Sequence, residues 1–315
     1  MKKICLALVA IVLLASVVSC LGGQDESLFA TRPYPAAKLP GMVPEVFAPG
    51  FISTEQFEFG ITFSRDGKEC FFTRRPTFEG SDNRIYHSQW IDGRWSRPTR
   101  ASFAGNVFEF IPVVSVNGDK LFFYSERPQP RDTDLDGNLW VAGKNVSGWG
   151  EARFFQAPAN RKYCMMVSEA KNGTIYFSGI FAGKRGMFRA ACQAGKYGEM
   201  ELLPEEINAI RPAHPFVAPD ESYLIMDAQV TGMGQPELFI SFREADGGWT
   251  RALNMGQAIN ATKTEFAASV SPDGKFLFFH RRVNGNGDIY WVDAGIMDGL
   301  RAQQNVPEAP VAGPR

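Results

Sequence analysis

Short apolar segments alternate with polar turns along most of this chain, and the alternation has a regular period. One unit contains an apolar segment, a turn of the Ser-x-Asp-Gly type, a second apolar segment, a polar loop and a third segment ending in an aromatic residue. It recurs at intervals of about 50 residues, which predicts one supersecondary unit stacked several times. The five turns are Ser64–Lys68, Ser115–Gly118, Lys171–Gly173, Pro219–Glu221 and Ser271–Lys275.

Each unit predicts three clear strands and a weaker fourth, because its apolar segments have strand length and lie between turn signals. An aromatic residue precedes the fourth strand in four of the units: Trp95, Trp149, Tyr197 and Trp249. No helical periodicity of useful length follows residue 20. The pattern therefore predicts an all-β protein, a five-bladed β-propeller of four-stranded antiparallel blades.

The fifth unit is short by one strand, and its counterpart lies near the N-terminus. Phe47–Thr54, which leads into Glu58, matches Met255–Asn260, which leads into Glu265. We predict that Val46–Phe51 is the outer strand of the last blade, beside residues 288–292. This closes the ring, removes exposed sheet edges and implies one domain over residues 43–302.

The run Ser271–Phe279 followed by Asp288–Tyr290 resembles the WD40-like repeat of TolB-type periplasmic proteins, as does Asp92–Pro98. The resemblance covers residues 43–301 and is weakest in the third and fourth units. It implies a propeller in an extracytoplasmic compartment. Members of the family include protein-binding scaffolds, propeller domains attached to peptidases and sugar-acid lyases, so the resemblance does not imply one activity.

The N-terminus is typical of a targeting segment, since two lysines precede the apolar stretch Ile4–Ala15. The following residues, Val17–Cys20, resemble a bacterial lipobox. We expect residues 1–19 to be a lipoprotein signal peptide and Cys20 to carry the lipid that anchors the chain to a membrane. The alternative is an ordinary secretory signal. Residues 20–42 are predicted to be a flexible tether and residues 303–315 a disordered tail.

Net charge and cysteine content limit the kinds of partner and chemistry that we expect. The net charge is −1, so there is no basic excess of the kind that nucleic-acid binding requires. Cys70, Cys164 and Cys192 remain besides Cys5 and Cys20, and each lies in an apolar strand pattern. We expect these three thiols to be buried and inert.

The residues six positions before the turn serines include three carboxylates. We predict that they form a ring around one mouth of the channel, together with basic residues of the other two units: Glu58, Glu109, Lys162, Arg211, His214 and Glu265. Three interpretations stay open. The glutamates could be a structural feature of each strand start, the ring could bind a ligand, or two of the carboxylates could hydrolyse a glycosidic bond.

One loop has the start of a calcium-binding sequence, with carboxylates at alternate positions before a glycine: Asp132, Asp134 and Asp136. Its twelfth position is Gly143 instead of the usual glutamate, and no helix flanks it. The alternative is a solvated acidic loop. No other cofactor is expected.

The sequence thus predicts a lipid-anchored propeller of the bacterial envelope, periplasmic or facing the cell surface, that binds a protein or a glycan. The alternative function is a carbohydrate-active enzyme, a glycosidase or a lyase, that uses the carboxylates at the channel mouth.

Overall fold

The computed structural model describes residues 34–36, 38–129, 137–161, 164–229, 235–262 and 264–304. They form a five-bladed β-propeller of antiparallel sheets, so the predicted fold class is confirmed. The strands are β1 Glu45–Val46, β2 Phe57–Phe63, β3 Glu69–Arg75, β4 Arg84–Ile91, β5 Arg94–Trp95, β6 Thr99–Arg100, β7 Glu109–Val114, β8 Lys120–Ser125, β9 Asn138–Asn145, β10 Gly148–Phe154, β11 Cys164–Glu169, β12 Ile175–Phe181, β13 Lys184–Gln193, β14 Lys196–Leu202, β15 Ala213–Val217, β16 Tyr223–Gln229, β17 Pro236–Phe242, β18 Leu253–Asn254, β19 Phe266–Val270, β20 Phe276–Val283 and β21 Asn286–Asp293.

Four blades follow the chain from the innermost strand outward, and the fifth takes its outer strand from the N-terminus. Blade 1 contains β2 to β6, blade 2 β7 to β10, blade 3 β11 to β14 and blade 4 β15 to β18. Blade 5 has the order β19-β20-β21-β1. The fourth strand of blade 1 is split into β5 and β6, which both pair with β4.

Ring closure by the N-terminal segment is confirmed, although its strand is shorter than predicted and begins one residue earlier. Glu45 pairs with Trp291 and Val46 with Tyr290, and the Phe47 N–H donates to the Ile289 carbonyl at 2.8 Å. The chain then turns, because the Ala48 carbonyl accepts hydrogen bonds from the three N–H groups of residues 51–53. Phe47 is fully buried and packs on Phe278 and Phe63, so this segment joins blade 5 to blade 1.

The predicted tether is partly packed against the propeller. Tyr34 is 3% exposed, and its ring makes edge contacts with Phe63 and Phe276 at centroid distances of 5.1 and 5.3 Å. Its hydroxyl donates to Asp273 at 3.0 Å. The chain therefore contacts the closing blades well before residue 43.

Every innermost strand contains a β-bulge at a corresponding place, seen as a register shift in β2, β7, β11, β15 and β19. Four residues in these bulges have positive φ: Gly60 (60°), Ile111 (49°), His214 (40°) and Ala267 (51°). Positive φ is costly for a β-branched residue such as Ile111. The neighbouring blade compensates, since the Ile111 N–H donates to Thr73 Oγ1 at 2.8 Å and the Ala267 N–H to Asp227 Oδ1 at 3.2 Å.

Three short helices lie among the described residues, although the sequence shows no helical periodicity of useful length. Helices α1 Glu205–Asn208 and α2 Gly256–Ile259 are single turns, but α3 Ile296–Gln304 has nine residues. Met297 and Leu300 of α3 are buried against blades 4 and 5. Two buried apolar positions in one short segment are too few to give a recognisable helical period. A 3₁₀ turn spans Pro158–Arg161.

The three cysteines are free, and two match the expectation. Cys70 and Cys164 are fully buried, and burial raises the pKa of both thiols, that of Cys164 to about 12. Cys192 in β13 is only half-buried, because β13 lies third from the channel and its end approaches the blade surface.

Candidate functional site

The three glutamates of the predicted ring do not face one another, because each forms a buried ion pair with an arginine of its own blade. Glu58 accepts hydrogen bonds from Arg74 Nε at 2.8 Å, from Thr54 Oγ1 at 2.6 Å and from the Thr54 N–H at 3.1 Å. The Arg74 guanidinium also donates to the Ile52 carbonyl at 2.9 Å. Burial raises the pKa of Glu58 despite these donors. Each contact lies within blade 1 or in the segment that leads into it.

The same arrangement recurs in blades 2 and 5. Glu109 accepts from Arg127 Nε at 2.8 Å and from Ser125 at 2.9 Å, while Arg127 donates to the Phe103 carbonyl. Glu265 accepts from Arg281 Nε at 3.0 Å, and Arg281 donates to the Ile259 carbonyl at 2.7 Å. Each pair fastens the start of an innermost strand to the loop that precedes it.

These three glutamates are 0% exposed. A carboxylate enclosed in this way cannot reach a ligand in the channel without unfolding the strand start. The geometry therefore corresponds to the structural interpretation of the glutamates, and the structure does not bring them together at an open mouth.

The equivalent position in the third blade is not Lys162. Thr62 and Ser168 occupy equivalent places, because each hydroxyl accepts from an N–H of the next blade, that of Val114 at 3.1 Å and that of Val217 at 3.0 Å. Four residues before Ser168 lies Cys164, as Glu58 lies four before Thr62. The sequence alignment was displaced by two residues because the third repeat has no Ser-x-Asp-Gly turn. Lys162 lies outside the described residues.

The two basic residues predicted in blade 4 differ in their surroundings. Arg211 is exposed and has a φ of 54°. His214 Nδ1 lies 2.9 Å from Asp227 Oδ1, and its ring is 6.0 Å from that of Phe266 in blade 5. Burial lowers the pKa of His214, but the Asp227 carboxylate outweighs burial and raises the pKa overall.

Large apolar side chains, most of them aromatic, fill the channel at the end where the innermost strands begin; we call them the aromatic cluster. The cluster includes residues of blades 1, 2, 3 and 5: Phe57, Phe59, Phe110, Tyr124, Met166 and Phe266. Phe59 lies 5.6 Å from Phe266 and 6.3 Å from Phe110 between ring centroids. The mouth at which the sequence predicted a ligand is therefore occupied by the protein's own core.

The open part of the channel lies at the other end, and it is the candidate binding site. A cavity of about 300 Å³ extends from the bulges to the turns after the innermost strands, and all five blades line it. In the structure the carbonyls that accept the turn hydrogen bonds belong to Ser64, Ser115, Ala170, Ala218 and Ser271, which are the first turn positions. The residue after each of them contributes to the rim of the cavity: Arg65, Val116, Lys171, Pro219 and Pro272. Sequence reasoning chose the opposite end of the same strands. The sequence does contain a signal for this end of the channel. The residue after the first turn position varies among the repeats although the turn itself recurs.

The walls of this channel cavity are mostly apolar because their hydroxyl groups have partners in neighbouring blades. Thr62 and Ser168 accept the blade-to-blade bonds described above, and Ser269 donates to the Ile61 carbonyl at 2.6 Å. Glu169 lies at the rim, 3.4 Å from Lys120 Nζ, and burial raises its pKa. Arg65 and Lys171 are exposed there. The cavity thus combines apolar walls with a rim of mixed charge, in which two cations and one carboxylate take part.

No metal centre is found among the described residues, in which no group of three or more His, Cys, Asp or Glu side chains could hold an ion. The acidic loop with Asp132, Asp134 and Asp136 lies outside them, so calcium binding stays a prediction. Within the same ranges, no helix is long and apolar enough to cross a membrane. Cys20 also lies outside the described residues.

Comparison with known proteins gives likeness of structure only. No protein-family model matches the chain, and no curated protein matches it. Similar solved structures include TolB from Acinetobacter baumannii, with 13% identity and a TM-score of 0.49 over 78% of this chain. This chain spans about half, 53%, of that TolB.

Two further similar structures carry the names of enzymes. The endo-arabinase from Bacteroides thetaiotaomicron has 12% identity and a TM-score of 0.48, over 78% of this chain and 94% of its own. The oligogalacturonate lyase from Vibrio parahaemolyticus has 13% identity and a TM-score of 0.43, over 76% and 66%. The class that the structure defines is the five-bladed β-propeller, with TolB proteins among its neighbours.

Proposed function

We propose that this chain is a lipid-anchored binding propeller of the bacterial envelope, which takes part of a protein or a glycan into the channel cavity. The observation that carries the proposal is the cavity itself, which all five blades line and which the aromatic cluster closes at one end. Concave sites with mostly apolar walls and a few polar groups are the usual form of a ligand site.

The glycosidase or lyase alternative has less support from the geometry. Both carboxyl groups of a glycosidase must reach the scissile bond. Glu58, Glu109 and Glu265 are each neutralised by an arginine inside a blade and are 0% exposed. We therefore retain binding as the proposed function.

The shape of the channel cavity supports a ligand with a narrow apolar part that enters between the turns. Arg65 and Lys171 at the rim favour acidic groups on the portion that remains outside. A peptide terminus with an apolar side chain satisfies both conditions, whereas a glycan chain would have to enter by the apolar face of its terminal ring.

The test is to fill the cavity and measure binding. Ligands are first identified with a glycan array and a pull-down from envelope extract. Val113 lines the cavity, so Val113→Phe should weaken binding of the identified ligand at least tenfold. Val146 lies on the surface between β9 and β10, and Val146→Phe is the matched control that should leave binding unchanged. Unaltered binding by a folded Val113→Phe protein would exclude the cavity as the site.

Anchoring is tested separately. Cys20→Ser should release the protein from membranes or leave its precursor uncleaved, as measured by fractionation. A Cys20→Ser protein that matures and remains in the membrane fraction as before would contradict lipidation.

A further inference from the structure

Two arginines from adjacent blades share one exposed phenyl ring at the end of the molecule opposite the channel cavity. The guanidinium of Arg282 in blade 5 lies 4.2 Å from the Phe78 ring centroid, and that of Arg75 in blade 1 lies 5.5 Å from it. Arg75 also lies 4.2 Å from the ring of Phe57. Phe78 is 44% exposed. We call Arg75, Arg282, Phe57 and Phe78 the Phe78 cluster.

Neither arginine of the cluster has an acidic partner among the residues that the structure describes. No carboxylate oxygen of these residues lies within 4.0 Å of either guanidinium. Arg75 donates to the Gly80 carbonyl at 3.3 Å, while its Nε is buried without an acceptor. Burial lowers the pKa of Arg75. A desolvated charge without a partner is costly.

The residues directly before them in sequence show the contrast. Arg74 and Arg281 have Glu58 and Glu265 as buried counter-charges. The repeat therefore places two consecutive arginines at the end of a second strand, and only the first of each two is neutralised by the protein. The second arginines, Arg75 and Arg282, contact aromatic rings instead, which stabilise a cation without cancelling its charge.

The charges under the cluster also favour an external anion. His280 lies 4.5 Å from Phe57 between ring centroids, and its Nδ1 contacts the Glu58 carbonyl at 2.8 Å. Burial and the positive charges of Arg75 and Arg282 lower the pKa of His280 to about 3. Glu58 below the cluster is already paired with Arg74, and Asp288 accepts from Asn286 at 3.1 Å. Two like charges beside one ring, with no carboxylate of the described residues paired to either, form a positive site at the surface.

We propose that the Phe78 cluster binds an oxyanion, a carboxylate or a phosphate, held by Arg75 and Arg282 across the junction of blades 1 and 5. Guanidinium groups match both anions with paired N–H donors. The partly exposed ring of Phe78 suits a ligand whose anionic group is attached to a ring, as in an acidic sugar. The site is independent of the channel cavity and does not rest on it.

The direct test is calorimetric titration of the full chain at low ionic strength with three probes: D-glucuronate, inorganic phosphate and neutral D-glucose. The two anions should bind and glucose should not, and tighter binding of glucuronate than of phosphate would identify a carboxylate on a ring. Arg282→Gln should weaken anion binding at least tenfold. The matched control is Arg243→Gln, because Arg243 in blade 4 lies 4.9 Å from the Trp249 ring and also has no carboxylate within reach among the described residues. It should bind as the unaltered protein does.

Thermal unfolding gives a second readout that a purely structural role would not produce. Without anion, Arg282→Gln should keep or raise Tm because it removes one of two like charges, whereas Arg281→Gln should lower Tm because it leaves Glu265 unpaired. Saturating anion should raise Tm of the unaltered protein by mass action and not that of Arg282→Gln. Absence of binding by both anions, equal binding by Arg282→Gln, or destabilisation of Arg282→Gln comparable to that of Arg281→Gln would each overturn the proposal.

Discussion

At the scale of single residues, the face of the strand on which a recurring glutamate lies decides whether it is structural or available to a ligand. The sequence shows that Glu58, Glu109 and Glu265 recur at one repeat position. Alternation along a strand also implies that Glu58 faces the side opposite Phe57 and Phe59. This alternation does not reveal which of the two sets of side chains lies next to the channel, because each face of a blade packs against a neighbouring blade. The arginine partners lie 16 to 18 residues away, and the strand register that brings them together was not evident.

We expect Glu265→Gln to lower the free energy of unfolding by about 3–5 kcal/mol, because it leaves Arg281 buried without a counter-charge. Urea denaturation measures the loss. Glu55→Gln is the control, since Glu55 is exposed and should change stability by less than about 0.5 kcal/mol. Equal stability of the two variants would show that the carboxylate is not structurally required.

The pH dependence of stability should reveal His280. Its pKa is lowered to about 3 in the folded protein, so the neutral form is favoured there and the unfolded chain binds the proton first. Stability is therefore complete above about pH 6.5 and falls as the pH decreases toward 3. One proton accounts for about 1.4 kcal/mol per pH unit. His214, whose pKa is raised, acts in the opposite sense and at higher pH, losing its contribution as the pH rises through its folded pKa.

The measurement is Tm between pH 6.5 and 4 for the unaltered protein and for His280→Gln. Asp288, whose pKa is raised to about 6, gains stability as the pH falls through the same range, so only the difference between the two proteins isolates His280. The difference should shrink as the pH falls. A constant difference across the range would contradict a neutral buried His280.

At the scale of elements, the bulges of the innermost strands connect each blade to the next. A bulge turns one or two N–H groups out of the ladder, and the neighbouring blade supplies the acceptor. Thr73 of β3 and Asp227 of β16 have this role. Strand existence could be predicted from apolar segments, but bulges could not, because Ile111 is a poor residue for positive φ and gives no local signal. Tertiary contacts overrule the local preference there.

We expect Thr73→Val to cost about 1–3 kcal/mol of unfolding free energy, because it keeps the side-chain shape and leaves the buried Ile111 N–H without an acceptor. Thr99→Val in the exposed strand β6 is the matched control and should have little effect. The free energy is obtained from urea denaturation of both variants. A neutral Thr73→Val would mean that the blade-to-blade hydrogen bond does not stabilise the bulge.

At the scale of the whole molecule, the period of about 50 residues was sufficient to predict five blades, since one blade cannot bury its faces alone. The functional end of the channel was not predictable in the same way. The starts and the ends of the innermost strands look equally polar in sequence, and only the packing of Phe59, Phe110 and Phe266 shows which end is filled. Ring closure could be predicted because the fifth repeat has one strand fewer than the others and a matching segment lies near the N-terminus.

Closure also determines the expected behaviour of shortened chains. A chain that begins at Thr54 lacks β1, the hydrogen bond from Phe47 to Ile289, and the buried side chains of Phe47 and Ile52. Each lost backbone hydrogen bond is worth about 1 kcal/mol and each large apolar side chain about 1.5–3 kcal/mol. Their sum is comparable with a typical total stability of about 5–15 kcal/mol. The open edge of β21 would in addition favour association between molecules.

We therefore expect the chain that begins at Thr54 to aggregate or to melt far below one that begins at Met42. Both lack Tyr34, so the comparison isolates residues 42–53. Light scattering and thermal unfolding are the measurements. A third chain, with Phe47→Ala and the start at Met42, separates the two contributions, because it keeps the backbone pairing of Glu45 and Val46 and loses the buried ring between blades 5 and 1. It should have an intermediate Tm and remain monomeric. Equal stability of the chains that begin at Thr54 and Met42 would show that the ring is held closed by the faces of blades 1 and 5 alone.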